Sequence, residues 1–150
     1  MKPVRIGICC LGTVGSGTVN ILTRNKALID ARAGCDITIV QIGARRDNPN
    51  CDTSKYSVTR DVFDVANNPE VDVLVEVMGG TTVAKDLILK AIENGKHIIT
   101  ANKALIAHHG NEIFAAAKAK GVTVAFEAAV AGGIPIIKAI REGLAANKIE

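Results

Sequence analysis

The chain has 150 residues, 48% of them apolar, and 18 Lys plus Arg against 15 Asp plus Glu give a formal charge of +3. That length and apolar content suit one domain with a real core and exclude a disordered chain. The small charge, 3% aromatics and absence of Trp speak against a nucleic-acid surface, and no apolar run reaches the roughly 18 residues of a membrane span.

Met1-Lys2-Pro3 leads directly into a strand, Val4–Cys9, so no signal peptide is expected and the chain reads as cytoplasmic. A glycine-rich turn follows, and Val14, Thr18, Ile21, Leu22 and Leu28 then recur at helical spacing. Ile37–Ile42 is a second strand. The polar stretch Arg45–Ser57 reads as a loop and Val62–Asn67 as a short helix. Val71–Val77 is a third strand. Ala84, Leu87, Ile88, Ala91 and Ile92 mark a helix that Gly95 closes. His97–Thr100 is a fourth strand, about Asn111–Lys120 a helix stopped by Gly121, Val122–Phe126 a fifth strand and Ile136–Leu144 a last helix. Alternating β and α with nearly continuous apolar strands predicts an α/β fold, a doubly wound, Rossmann-type parallel sheet covered on both faces. The cysteines Cys9, Cys10, Cys35 and Cys51 form no C-x-x-C pair and are expected as free thiols. His108 and His109 read as a solvated pair, since neighbours on a helix diverge by about 100°.

In a doubly wound sheet ligands bind beyond the carboxyl ends of the strands. The first such end, Cys10-Leu11-Gly12-Thr13-Val14-Gly15, follows a strand and opens a helix, as a dinucleotide fingerprint G-x-G-x-x-G requires. Gly12 occupies the phosphate-facing position and Gly15 the position of close helix–strand packing. Leu11, Gly12, Thr13, Val14 and Gly15 are the predicted pyrophosphate-binding residues, aided by the helix dipole. Cys10 stands where the pattern has its first glycine. Either the turn holds Cys10 in an allowed backbone region or affinity falls, and binding is expected to survive because Gly12 is retained. An acidic residue at the end of the second strand would favour NAD. Asp36 lies at the wrong end of that strand, whereas Arg45 and Arg46 lie at the right one. Arginine there can hold a 2′-phosphate bidentately, so NADP is expected over NAD, with use of both open.

The segments IGICCLGTVGSGTV, VLVEVMGG, ENGKHIITANKALIA and AFEAAVAGGIPIIKAIREGL resemble the NAD(P)-binding domain of homoserine dehydrogenase over essentially the whole chain. That resemblance implies NAD(P)-dependent interconversion of L-homoserine and L-aspartate 4-semialdehyde, in threonine, methionine and isoleucine biosynthesis. It implies that Lys103, in Thr100-Ala101-Asn102-Lys103, lies near nicotinamide and substrate as a catalytic residue, with a loop-capping lysine as the plainer alternative. Gly79, Gly80 and Thr81 match a loop beside the cofactor. Glu127, Val130, Gly132 and Ile134 resemble a monovalent-cation site holding Na⁺, unless Glu127 is only a hinge hydrogen-bond acceptor. Residues 1–150 are then one dinucleotide-binding domain, with about 131–150 leading into a substrate domain absent from the sequence. The fragment is expected to be inactive alone, and the full-length protein to be a homodimer. Two alternatives are another two-domain NAD(P)-dependent semialdehyde or amino-acid dehydrogenase and a non-catalytic nucleotide-binding module.

Overall fold

A computed structural model describes residues 2–148; Met1, and Ile149 and Glu150 at the end of the segment expected to lead onward, lie outside them. Six parallel strands run β1 Val4–Cys9, β2 Ile37–Gly43, β3 Ser57–Thr59, β4 Val73–Glu76, β5 His97–Thr100 and β6 Val124–Ala125. Their order across the sheet is β3-β2-β1-β4-β5-β6, two halves wound outward from β1 and β4. This is the doubly wound Rossmann arrangement, with its topological switch between the carboxyl ends of β1 and β4.

Alternation along each strand divides the core in two. Ile6, Ile8, Ile39, Ile42 and Val75 face one side and pack with Val19 of α1 (Thr13–Arg24), beside α2 (Lys26–Ala33). Cys9, Leu74, Ile98 and Val124 face the other side. There they meet α3 (Val62–Asn67), α4 (Thr82–Glu93) and α5 (Lys103–Lys120). Burying the Leu87, Ile88 and Ile98 side chains completely contributes about 2 kcal/mol each. At β5 the first face is less covered, and Ile99 is 41% exposed.

Several boundaries differ from the sequence expectation. The sheet has six strands, because Ser57–Thr59 pairs in parallel with Gln41–Gly43 at the edge; three residues are too few to show periodicity. The third and fifth expected strands shorten to Val73–Glu76 and Val124–Ala125. The first helix breaks at Asn25, which closes α1 and caps α2. Its buried side is Gly15, Ser16 and Val19, while Val14, Ile21 and Leu28 are exposed. Close approach at small residues, not the stripe of large ones, sets the face. α5 begins at Lys103 rather than Asn111: the helix runs through His108, His109 and Gly110, and Gly110 is buried on its packed side. The last helix is a short α6 (Ile136–Lys138) continued by a π-helical turn, Ala139–Gly143.

At the amino ends of the strands, Arg5 forks onto Asp72 with its Nε and Nη2 at 3.0 and 2.9 Å, and its amide adds a third bond at 3.0 Å. The buried Lys96 ammonium donates to the carbonyls of Asn68 and Val71, and burial pulls its pKa down. All four cysteines are free thiols, and burial pushes the Cys9 thiol well up.

Candidate functional site

The carboxyl ends of the strands form a trough in three connected parts. The first, about 540 Å³, lies between Cys10–Gly12 and Ala44–Pro49. The second, about 520 Å³, is bounded by Arg45, Arg60–Phe63 and Met78–Val83. The third, about 350 Å³, is lined by Val14, Val77–Gly79 and Ala101–Lys103. Cys10 and Arg45 are shared by the first two, Met78 and Gly79 by the last two.

The glycine-rich turn opens α1. Gly12 is the N-cap and offers no side chain to the first-turn amides, which are therefore left for a ligand at the positive end of the helix dipole. A Cβ on Gly15 would sit 2.0 Å from the Cys10 carbonyl oxygen and 3.2 Å from the Val77 side chain. Only glycine lets α1 approach the end of β1 this closely. Cys10 has φ 95°, and among the described residues it is the sole non-glycine with positive φ. Of the two alternatives left open for Cys10, an ordinary allowed backbone region is therefore not the one adopted. The tight turn demands a glycine-type conformation, and Cys10 adopts it at a cost on the order of 1–3 kcal/mol. Leu11 is buried and lines the first part of the trough.

Arg45 and Arg46 are exposed, follow the buried Ala44 at the end of β2, and line the first part of the trough. Neither has an ion pair or side-chain hydrogen bond among the described residues. Asp36 lies at the opposite end of β2, occupied by Lys26 and Thr38. On the other side, Gly79 and Gly80 both have positive φ (80° and 75°), which turns the chain from β4 into α4, and Thr81 is the N-cap. Lys103 is exposed in the first turn of α5 at the third part of the trough.

Sequence reasoning passed over the group that fixes these two loops together. Glu76 is fully buried at the end of β4. One carboxylate oxygen accepts from the Met78 amide at 2.8 Å, the other from the Thr100 hydroxyl at 2.6 Å. Thr100 in turn accepts from the Asn102 amide. The Asn102 side chain donates to the Gly80 carbonyl at 2.6 Å and accepts from the Leu105 amide, capping α5. Among the described residues, no buried side-chain polar atom is left without a partner. The motif around Lys103 is therefore a cross-strand brace that sets the lysine beside the Gly79–Gly80 loop. The signal in the sequence was a charged residue in an otherwise apolar strand.

Glu127 stands apart from this brace. Its two oxygens accept from the amides of Ile137 and Lys138 at 2.8 and 3.0 Å, so it caps α6. The Ile134 carbonyl accepts from Ile136. Val130, Gly132 and Ile134 lie on the same exposed segment. Among the described residues no three His, Cys, Asp or Glu side chains cluster as metal ligands.

The model of the family described as "Homoserine dehydrogenase, NAD binding domain" matches residues 10–127. The chain belongs to that family. It is 68% identical to homoserine dehydrogenase of Pseudomonas aeruginosa over 149 residues, covering 99% of this chain and 34% of that protein. It is 51% identical to homoserine dehydrogenase of Neisseria gonorrhoeae, covering 100% of this chain and 35% of that one. The crystal structure of a homoserine dehydrogenase from Thiobacillus denitrificans superposes with a TM-score of 0.89 at 53% identity, over 99% of this chain and 35% of that one. The chain thus spans about a third of the length of these homoserine dehydrogenases. No helix among the described residues is long and apolar enough to cross a membrane.

Proposed function

We propose that this chain is the cofactor-binding part of a homoserine dehydrogenase that prefers NADP and interconverts L-homoserine and L-aspartate 4-semialdehyde, a step toward threonine, methionine and isoleucine. One observation carries the reading: a trough with an uncapped helix start at its centre, two arginines without an ion pair among the described residues at one end and an exposed lysine at the other. When bound, the nicotinamide supplies the hydride chemistry. The residues of this chain bind and orient it. The backbone of Leu11, Gly12, Thr13, Val14 and Gly15 takes the pyrophosphate. Arg45 and Arg46 hold the 2′-phosphate by charge-assisted hydrogen bonds. Gly79, Gly80 and Thr81 form the wall beside the cofactor, where a backbone without Cβ permits close approach. Lys103 places a cationic amine where a substrate carboxylate or a developing alkoxide would sit.

The groups that hold the substrate amine and move the proton are assigned to the part of the relatives that this chain does not span, as is association into a homodimer. Sodium on Glu127, Val130, Gly132 and Ile134 would share the Glu127 carboxylate with the Ile137 and Lys138 amides, each oxygen keeping a second acceptor position.

Calorimetric titration with NADP and NAD tests the reading. Arg45→Ala should lower NADP affinity about tenfold, the order of one hydrogen bond to a charged group, and leave NAD nearly unchanged. Unchanged NADP affinity would remove the phosphate assignment. A steady-state assay of the 150-residue chain with homoserine and NADP should give no turnover; a rate near that of the full-length protein would refute the division of labour.

A further inference from the structure

The two arginines sit on a loop whose neighbours are all fastened. Arg60 donates to the Ala44 carbonyl at 3.1 Å and to the Asp47 carboxylate at 2.8 Å. Farther along, the Asn20 side chain holds the Asn50 carbonyl, and Thr23 holds the Tyr56 hydroxyl, both from α1. Asn48 is different, because it reaches the glycine-rich turn itself. Its Nδ2 donates to the Leu11 carbonyl at 2.8 Å, while its Oδ1 accepts from the Asn50 amide at 2.9 Å. The trans peptide is planar, so fixing the Leu11 carbonyl also fixes the Gly12 N–H, which points the opposite way. One side chain therefore fixes the Gly12 amide of the proposed pyrophosphate turn and anchors the loop that carries Arg45 and Arg46.

We propose that Asn48 is a positioning residue for the phosphorylated cofactor, joining the pyrophosphate turn and the 2′-phosphate arginines into one preformed unit. The proposal rests on the reading of Arg45 and Arg46 given above. It makes the preference for NADP depend on a residue that touches neither phosphate. Loosening Asn48 costs NADP more than NAD, because only NADP uses both halves of the unit.

The test is calorimetric titration of the full-length protein with NADP and with NAD, for the wild type, Asn48→Ala, Arg45→Ala/Arg46→Ala and the triple variant. Asn48→Ala should lower the ratio of NADP to NAD affinity about fivefold, the order of one net hydrogen bond. In the background lacking both arginines this effect on the ratio should vanish. Asn48→Ser keeps an acceptor for the Asn50 amide but is too short to reach Leu11, so it should reproduce the lower ratio with the melting temperature preserved. Equal loss for both cofactors, or an unchanged ratio in Asn48→Ser, overturns the proposal. An unchanged ratio in Arg45→Ala/Arg46→Ala overturns the arginine reading instead, so the two failures are distinguishable.

Discussion

Cys10 holds a backbone angle that nearly every other residue type avoids, at φ 95°, in a turn whose dimensions Gly15 dictates from the other side. Cys10 lines the trough and is half-buried there, its sulfur 3.7 Å from where a Cβ on Gly12 would stand. Replacing it by glycine removes the strain and restores the first glycine of the fingerprint. Cys10→Gly should raise stability by about 1 kcal/mol, measured as an upward shift of the thermal midpoint. NADP affinity in the same variant should be equal or higher, since the phosphate-facing amides stay in place. A fall in stability would mean that the glycine's extra freedom in the unfolded chain outweighs the strain.

At the scale of elements, the Glu76 brace does what the individual loops cannot. Glu76, Thr100 and Asn102 come from β4, β5 and the start of α5, and together they hold the Gly79–Gly80 loop against Lys103. Glu76→Ala strands the Met78 amide, the more distant Gly79 amide at 3.4 Å and the buried Thr100 hydroxyl, and leaves a cavity. It should cost roughly 3 kcal/mol, read from the shift of the urea midpoint. Glu76→Gln, which keeps an accepting oxygen, should cost less.

Much of this was legible in the sequence because strands of the buried parallel sheet are apolar throughout and glycines mark the turns. The order of elements, the role of Gly15 and the placement of Arg45, Arg46 and Lys103 at strand ends all followed from local pattern. What escaped has a common cause. The edge strand Ser57–Thr59 exists only through its pairing with β2. The buried face of α1 is chosen by small residues, and Gly110 looks like a break although it packs inside α5. The links from Asn48 to Leu11 and from Asn102 to Gly80 join residues 37 and 22 positions apart, a distance no periodicity reports.

Over the whole molecule the strands have two working ends. Asp72, at the amino end, has its pKa lowered to about 2, first by the side-chain hydrogen bonds from Arg5. A carboxyl whose folded pKa is depressed stabilises the fold above its ordinary pKa, and that contribution fades as pH falls from about 4 toward 2. At this partly exposed pair it is about 1 kcal/mol after screening. Acid titration followed by circular dichroism should show this loss, and Asp72→Asn should abolish that part of the pH dependence while sparing NADP binding at neutral pH.

The same separation has a consequence for how such a domain can change over generations. Lys96, Arg5 and Asp72 lie one strand length away from the trough and, among the described residues, share no hydrogen bond with it. Substitutions at that far edge can retune heat or acid tolerance for a new habitat while leaving coenzyme choice untouched. On the proposed roles of Arg45 and Arg46, a lineage switching coenzyme can rewrite the loop after β2 without reopening the question of whether the sheet holds.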